Sequence, residues 1–455
     1  MKTVLVNVPA EHIVETRYDQ PDYPHPGLGY LAAYLLHKNK ECSIVDAKLE
    51  RLCLADFLDK LRQIGPDIVG FTAMTHEIEH AAYVASLVKE ALPHCYTVVG
   101  GVHLTALPDE TLRNFPGFDF GISGEGERVL WKLVDALQIK GDLSNIKGIV
   151  FRKNGKICLN ALQDKIENMD DLPFPAWEQF PRAREYPIMT GRGCPFDCIF
   201  CMNPNGKKVR FRSPGNVWEE FKLVVDKYRP KRIVFWDETF TLNNERINKI
   251  LDRIISSSLN RKVRWYAQTH AACISYELLK KMRRAGCIKI GLGIESGNER
   301  ILASLRKGIT LREVIDSVSL AKKVGLPVEG YFILGHPNET FATAQDTIKF
   351  ASRLNPEYPV FGIMVPYPGT EVWRMAKNGE SGYKIVSLKW SDYNKQLGNA
   401  LELANLNRHQ LEYLQLRGYL SVFIVNLRLV SLAKFIFKYR REGLAFLKKI
   451  LLGKR

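Results

Sequence analysis

Three cysteines lie close together in the run from Gly191 to Cys201, Gly-Arg-Gly-Cys-Pro-Phe-Asp-Cys-Ile-Phe-Cys. Thiolates at the spacing CxxxCxxC suit an iron–sulfur cluster better than zinc, because a structural zinc site normally has four protein ligands. A four-iron cluster held by only three cysteines keeps one iron free for another ligand. The alternatives are a partial zinc site and three unrelated buried thiols. The spacing therefore predicts a [4Fe–4S] cluster bound by Cys194, Cys198 and Cys201.

This cysteine motif resembles the signature of the radical S-adenosylmethionine (SAM) superfamily. The resemblance implies that SAM chelates the fourth iron through its amino and carboxylate groups. Phe200, the aromatic residue before the third cysteine, is where this family places a side chain against the adenine.

Length, cysteine usage and charge set the broad class of protein. The chain has 455 residues, enough for two or three domains, and its nine cysteines form no disulfide-type pattern. The run Met1–Pro9 predicts a first β-strand and not a signal peptide. The sequence contains no uninterrupted stretch of about 18 apolar residues, so we do not expect a membrane-spanning helix. We therefore expect a cytoplasmic protein, and its net charge of +16 indicates an anionic partner that we do not expect to be a nucleic acid.

Short apolar strands alternate with helices over residues 1–140. This alternation predicts βαβ units on a parallel, doubly wound (Rossmann-like) sheet, with ligands at the carboxyl ends of the strands. Residues 141–184 are predicted to be a connector, with a hairpin over Ile149–Leu159 and then a proline-rich run. The predicted strands and helices of the first region are Val4–Val8, Gly27–His37, Cys42–Val45, 54–63, Ile68–Phe71, 77–91, Tyr96–Val99 and 125–137.

A second α/β alternation occupies residues 185–380. Six strands with helices between them match the incomplete (βα)₆ barrel of the radical SAM family. The cysteine loop follows the first strand, at the rim where barrel active sites lie. The predicted strands are Pro187–Thr190, Arg232–Asp237, Val263–Ala267, Ile288–Gly291, Val328–Leu334 and Val360–Val365.

The resemblance also places carboxylates that contact SAM at the strand ends. Asp237 and Glu238 fall where the family recognises the methionine amino group, a cation that favours an acidic acceptor. Glu295, with Ser296 beside it, matches the segment whose acid binds the ribose hydroxyls. For each acid taken alone, the alternative is a solvated helix start.

Three further positions are expected to complete the SAM cavity. Gly335 resembles the fifth-strand turn near the adenine. Gln268 on the third strand and Tyr367 after the sixth strand are expected to line the cavity, and Tyr367 is the candidate catalytic residue.

The first region resembles the cobalamin-binding domain that precedes the barrel in B12-dependent radical SAM proteins. Glycines in its loops let the backbone approach a flat corrin or its nucleotide tail. The alternative is a doubly wound domain without a cofactor. The resemblance implies that cobalamin is bound by Gly29, Thr72, Gly100, Gly101, His103, Gly124 and Glu125.

One departure concerns the cobalt ligand. The cobalamin domain of the methionine synthase type carries Asp-x-His-x-x-Gly, whereas the stretch here is Asp46-Ala-Lys48-Leu-Glu-Arg51. A lysine ammonium ligates a metal only after losing its proton. We therefore predict base-off cobalamin with no histidine ligand, and His103 is the first residue to examine if a nitrogen ligand is found.

Together the resemblances imply a radical enzyme. In the family that these motifs resemble, one electron entering the cluster cleaves SAM to methionine and a 5′-deoxyadenosyl radical, which abstracts hydrogen from a substrate carbon. A nearby methylcobalamin would then deliver a methyl group to that carbon. The first hypothesis is thus a methyltransferase that is reduced by a flavodoxin or ferredoxin. The second is a B12-dependent radical oxidoreductase or cyclase of the anaerobic porphyrin-ring type. The third is a non-catalytic cluster or cobalamin-binding protein, although a simple electron carrier normally has four protein ligands on its cluster.

The C-terminal segment, residues 381–455, is predicted to be helical and basic. Arg417–Arg455 contains ten Lys and Arg residues and one acid, Glu442. Apolar and basic positions are mixed there, as in an interfacial helix. The pattern predicts peripheral contact with an anionic membrane surface or a lipid-like substrate, and a small-molecule substrate is the other expectation. The alternative is a basic helix that packs on the barrel with its charges solvated.

Overall fold

The computed structural model describes residues 1–11, 19–396, 398–438 and 440. The basic residues beyond position 440 and Glu442, which belong to the predicted membrane segment, lie outside this range. By internal contacts the chain forms two compact units, one of Met1–Cys194 with Met202–Ile233 and one of Pro195–Cys201 with Val234–Arg455. The domain boundaries at 140, 184 and 380 stay a prediction. Within the described residues, no helix is long and apolar enough to cross a membrane.

The first unit alternates strands and helices, as the sequence predicts. Its strands are β1 (Thr3–Asn7), β2 (Cys42–Asp46), β3 (Ile68–Thr72), β4 (Tyr96–Gly100), β5 (Phe120–Ile122), β6 (Ile149–Lys153), β7 (Lys156–Leu159), β8 (Glu185–Ile188), β9 (Gly191–Arg192) and β10 (Arg210–Phe211). Its helices are α1 (Pro26–His37), α2 (Ala47–Glu50), α3 (Leu54–Ile64), α4 (Ile78–Ala91), α5 (Val102–Ala106), α6 (Pro108–Asn114), α7 (Gly126–Gln138) and α8 (Pro214–Tyr228).

A seven-stranded sheet with the order β2-β1-β3-β4-β5-β6-β7 forms the centre of this unit. Strands β1 to β5 pair in parallel, and β6 and β7 form the predicted antiparallel hairpin, which joins the sheet next to β5. The strand order reverses at β1, so the carboxyl ends of β1 and β3 border the crevice where doubly wound folds bind ligands. The doubly wound prediction is confirmed.

The main segment of the second unit begins within β11 (Arg232–Phe235). Its further strands are β12 (Arg264–Thr269), β13 (Cys287–Glu295), β14 (Val328–Leu334), β15 (Tyr358–Ile363), β16 (Tyr383–Ile385) and β17 (Leu401–Leu403). Its helices are α9 (Asn244–Ser256), α10 (Tyr276–Arg284), α11 (Glu299–Ser304), α12 (Leu311–Lys323), α13 (Phe341–Leu354), α14 (Glu371–Lys377), α15 (Arg408–Val425) and α16 (Leu429–Lys438).

Six strands form the second sheet, in the order β15-β14-β13-β12-β11-β8. Strands β12 to β15 pair in parallel, and a helix follows each strand from β11 to β15. Stacked and edge-on rings fill the core, since Phe235 lies 4.5 Å from Phe240 and 5.1 Å from Trp265 between ring centroids. This is the partial (βα)₆ barrel that the sequence predicts.

The C-terminal segment is largely helical, as predicted. It opens with a two-stranded antiparallel ribbon, β16 and β17, which the sequence analysis did not anticipate. Helix α15 packs closely on β15, because a Cβ added at Gly418 would lie 2.8 Å from the ring of Phe361. Gln415 Nε2 and Tyr419 Oη both donate to the carbonyl oxygen of Phe361, at 2.9 and 3.1 Å. Helix α15 is therefore part of the folded core of the second unit.

Candidate cofactor-binding sites

The motif cysteines are accessible thiols in an irregular loop between β9 and β10. Cys194 and Cys198 are half-buried and Cys201 is exposed. Burial raises the pKa of the Cys42 and Cys287 thiols to about 12. Because the thiolate is the form that binds metal, buried thiols of this kind make poor ligands. The three accessible thiols of the loop are therefore better suited to bind an iron–sulfur cluster than the buried thiols are.

Cys194 belongs to the first unit, and hydrogen bonds with residues that follow the motif fix the start of the loop. The N–H of Cys194 donates to the carbonyl of Gly206 at 3.1 Å, and Asn203 Nδ2 donates to the carbonyl of Cys194 at 2.8 Å. Gly193 has a φ of 107°, and a Cβ there would lie 2.6 Å from the carbonyl oxygen of Lys208. Only glycine fits this position.

Cys198 and Cys201 belong to the second unit, where the residues around them are well anchored. Ile199 donates its N–H to Leu305 and accepts one from Val372, both at 3.2 Å. The ring of Phe196 stacks on His270 with 3.7 Å between centroids. Phe200, predicted to face the adenine, is half-buried. The loop is therefore held by both its backbone and an aromatic stack.

Arg306 adds an ionic contact to the same loop. Its Nε lies 3.5 Å from Asp197, which stands between the first two cysteines, and its guanidinium also pairs with Glu371. Arg306 is about half exposed.

Glu295 ends β13 in an unusual conformation. Its φ is 67°, a left-handed geometry that non-glycine residues rarely adopt and that often marks a functional site. The residue is 5% exposed, and its carboxylate pairs with the ammonium of Lys307, which is 7% exposed. No sequence motif marks Lys307 as part of this site. The structure thus presents the predicted ribose-binding acid as half of a buried ion pair.

Ser296 has a structural role that the sequence does not reveal. It is fully buried, and its Oγ lies 3.2 Å from Thr347 Oγ1 and accepts the N–H of Asn298 at 3.2 Å. The hydroxyl therefore shapes the turn before α11, and a ribose contact by Ser296 stays a prediction.

The residues predicted around the methionine and the adenine lie at or beyond strand ends. Asp237 and Glu238 follow β11, which ends two residues earlier than predicted. Asp237 is 6% exposed, whereas Glu238 is exposed. Gln268 is the exposed side chain between two buried residues of β12. Gly291, in the neighbouring strand β13, leaves room for the side chain of Gln268, since a Cβ at Gly291 would lie 3.2 Å from Cγ of Gln268. These positions favour an accessible polar surface at the strand ends.

Gly335 and Tyr367 follow β14 and β15. Gly335 has a φ of 89°, and its carbonyl accepts a hydrogen bond from the buried Tyr383 hydroxyl at 3.1 Å. Tyr367 is half-buried, and its backbone carbonyl accepts the Thr370 hydroxyl at 2.7 Å. A catalytic role for Tyr367 stays a prediction.

In the first unit, the predicted cobalamin loops combine open and tightly packed glycines. Thr72 and Gly100 are register partners at the carboxyl ends of β3 and β4. A Cβ at Gly100 would have its nearest neighbour at 3.9 Å, and one at Gly124 would meet nothing within 4 Å. Gly101 differs, since a Cβ there would lie 2.6 Å from the carbonyl oxygen of Ala73. Open glycines at strand ends leave space for a large planar ligand.

Gly29 and Glu125 have contacts that account for them without a cofactor. A Cβ at Gly29 would lie 2.8 Å from Cβ of Pro175, so this glycine permits close packing of α1 against the connector. Glu125 receives two hydrogen bonds from Arg210, at 2.6 and 3.0 Å, and one from the N–H of Ile166 at 2.9 Å. Cobalamin contacts by Gly29 and Glu125 therefore stay predictions.

Glu125 is one of four residues in a buried ionic network, which we call the arginine–glutamate network: Glu125, Glu127, Arg192 and Arg210. Arg192 and Arg210 face each other across β9 and β10, and Arg192 pairs with Glu127 at 2.6 Å and with Glu125 at 3.5 Å. Burial alone would raise the pKa of Glu125, but the hydrogen bonds from Arg210 and the charge of Arg192 lower it. The charges of the two arginines, which lie on the strands on either side of the cysteine loop, are thus neutralised by Glu125 at the N-terminal end of α7 and by Glu127 in its first turn.

His103 and Lys48 bear on the predicted cobalt ligand. His103 is 1% exposed, and burial lowers its pKa to about 4. Lys48 is 6% exposed and pairs with Glu77. Burial alone would raise the pKa of Glu77, but the charges of Lys48 and His76, together with hydrogen bonds from Lys48 and the N–H of Met74, lower that pKa to about 2. The Lys48 ammonium is thus held by a carboxylate, and a cobalt without a protein nitrogen ligand stays a prediction.

Comparisons with known proteins agree with this architecture. Residues 188–351 match the radical SAM superfamily and residues 17–134 match the B12 binding domain. The chain is 35% identical over 433 residues to PH0819, an uncharacterized methyltransferase of Pyrococcus horikoshii, and covers 93% of each chain. The chain belongs to the B12-binding radical SAM family.

This B12-binding radical SAM protein is also similar to a cyclase in sequence and to a solved structure in fold. It is 29% identical over 389 residues to the anaerobic magnesium-protoporphyrin IX monomethyl ester cyclase of Rubrivivax gelatinosus, covering 82% of this chain and 69% of the relative. Its fold is similar to that of the radical SAM methyltransferase TsrM from Kitasatospora setae, with a TM-score of 0.72, 16% identity, and 92% and 89% of the two chains covered.

Membership means that this enzyme uses SAM with a [4Fe–4S] cluster and binds cobalamin. The residues described above fit these groups, since the loop thiols are accessible and the Gly100 and Gly124 loops leave open space.

Proposed function

We propose that this B12-binding radical SAM enzyme transfers a methyl group to an unactivated carbon of its substrate. The observation that carries the proposal is the combination, on one chain, of the accessible cysteine triad with the open glycine loops of the first unit. Similarity over 93% of the chain to a protein named as a methyltransferase supports this function more than cyclisation.

The cofactors supply the radical and the methyl group, and the protein binds, orients and shields them. Cys194, Cys198 and Cys201 would hold the cluster as thiolates. Asp237 would accept hydrogen bonds from the methionine ammonium, and Glu295 from the ribose hydroxyls. In this proposal the buried ion pair with Lys307 holds the Glu295 carboxylate in place for these hydrogen bonds.

The test is product analysis after anaerobic reconstitution with SAM that carries an isotopic label in its methyl group. A flavodoxin or ferredoxin, or a chemical reductant, supplies the electron. The proposal expects 5′-deoxyadenosine and a labelled methyl group on the product. Oxidised or cyclised product without the label would favour the porphyrin-cyclase type of reaction. No cleavage of SAM under any condition would favour a non-catalytic binding protein.

We also propose that this enzyme is cytoplasmic and contacts an anionic membrane surface, from which it takes a lipid-like substrate. Large apolar side chains are exposed around α16, including Leu427 at 83%, Val430 at 70% and Phe437 at 69%. Lys434 and Arg440 lie among them and are also exposed. Exposed apolar groups beside basic ones are typical of an interfacial helix, and each basic residue near anionic lipid contributes about 1 kcal/mol.

Sedimentation with anionic vesicles tests this contact. Truncation before Arg417 would remove Gly418 and Tyr419, which pack on the barrel, so substitutions are the better tool. The double variant Val430→Ser, Phe437→Ser is expected to sediment less than wild type. Leu388→Ser is the matched control, because Leu388 is 82% exposed outside α16. Equal sedimentation of all three proteins, or none for wild type, would contradict the proposal.

A further inference from the structure

A buried carboxylate organises the turn between β14 and α13. Glu339 is 1% exposed. Its Oε2 accepts the backbone N–H groups of Gly335 and His336, the latter at 3.1 Å. Its Oε1 is buried without a hydrogen-bond partner among the described residues. A carboxylate that bridges two successive N–H groups fixes the direction of the backbone between them.

His336 connects this turn to the end of β13. Its ring is fully buried, and Nε2 lies 3.3 Å from the backbone carbonyl oxygen of Glu295. A carbonyl oxygen only accepts hydrogen bonds, so Nε2 carries the proton. Burial lowers the pKa of His336 to about 4, which keeps the ring neutral at physiological pH. The imidazole thus donates to the one residue of β13 with a left-handed backbone.

We infer that Glu339 is a positioning residue of the SAM pocket, which holds the Gly335–His336 turn and, through His336, the backbone of Glu295. The inference rests on the proposed SAM-binding role of Glu295. Among the described residues, Glu339 forms hydrogen bonds with Gly335 and His336 and none with Glu295 or Lys307, so its effect travels through the turn. The side chain would act on SAM affinity without touching SAM.

Titration of Glu339 gives this role a distinct signature. Burial raises the pKa of Glu339 to about 7 in spite of its two backbone hydrogen bonds. The other titratable groups at the turn are His336, Tyr383 from β16, whose pKa is raised by burial, and the Glu295–Lys307 pair. An ionised carboxylate accepts backbone hydrogen bonds more strongly than a protonated one. SAM affinity should therefore increase as the pH rises through about 7.

The experiment measures the SAM dissociation constant of the anaerobically reconstituted full chain by equilibrium dialysis between pH 6 and 8. Glu339→Gln keeps the shape and one acceptor oxygen but cannot ionise. It is expected to bind SAM with an affinity that does not change with pH and is about tenfold weaker than wild type at pH 8. The variant His336→Gln retains a hydrogen-bond donor and should bind SAM more tightly than His336→Leu, which has none.

Glu313→Gln is the matched control. Glu313 also accepts the N–H of a turn, from Thr310 at 2.7 Å, in the capping box at the start of α12. This control should keep the wild-type affinity and pH profile. Iron content, measured for each variant, separates folding defects from effects on SAM.

Two results distinguish the positioning role of Glu339 from the proposed SAM-binding role of Glu295. If Glu295→Ala leaves SAM affinity unchanged, the assignment of Glu295 is wrong and the inference falls with it. If Glu295→Ala weakens SAM binding while Glu339→Gln keeps the wild-type affinity and pH profile, only the role of Glu339 is overturned.

Discussion

Replacing Lys307 by methionine should destabilise the second unit far more than the same change at its neighbour Arg306. Lys307 and Glu295 are 7% and 5% exposed, so the substitution leaves a buried carboxylate without its counter-ion. Breaking a buried pair in this way costs about 3–5 kcal/mol. Arg306 is 49% exposed and pairs with acids that are 51% and 30% exposed. Solvent screens such pairs, and removing one costs about 0–1 kcal/mol.

Urea denaturation followed by tryptophan fluorescence measures both variants. Because a chain with two compact units need not unfold in one step, the comparison uses the shift of the transition between variants and not an absolute free energy. The double variant Lys307→Met, Glu295→Gln should recover part of the loss, since it removes the unpaired charge. Equal shifts for Lys307→Met and Arg306→Met would refute the reasoning, as would a double variant no more stable than Lys307→Met alone.

Further predictions concern the two metal cofactors. Alanine at any of the three motif cysteines should abolish the reducible cluster and SAM cleavage. The control Cys287→Ala, at a buried thiol outside the motif, should retain both. SAM cleavage at the wild-type rate by a motif variant would exclude these cysteines as the cluster ligands. Electron paramagnetic resonance of the bound Co(II) form should show cobalt lines without nitrogen splitting, because Lys48 is held by Glu77. A triplet on each line would contradict this, and His103 would be replaced next.

Regular elements were well predicted where a hydrophobic run was long and bounded. Strand β14 was predicted at Val328–Leu334 and is observed there. Strand β5 was missed, because Phe120–Ile122 has only three residues and a central glycine. Strand β13 extends to Glu295, beyond the predicted end at Gly291, because its glycines weaken the apolar pattern although the pairing with β14 continues.

Side-chain partners were the least predictable part of the candidate sites. Motif order pointed to Glu295, but nothing in the sequence connects it to Lys307 or to His336, 41 positions away. The loop of Glu125 predicts a cofactor contact, but nothing local in the sequence predicts its pairing with Arg210, 85 positions away. Such pairs depend on how strands and helices assemble, which local periodicity does not encode.

The arginine–glutamate network limits how this protein can be divided or recombined. A fragment starting at residue 185 would retain Arg192 and Arg210, which are 6% and 4% exposed, and would lose both glutamates. Each orphaned guanidinium costs about 3–5 kcal/mol, a large part of the stability of a typical domain. A barrel expressed alone should therefore fold poorly. A chimera that exchanges the cobalamin-binding part between relatives needs the glutamates of α7 and the arginines beside the cysteine loop to come from the same parent.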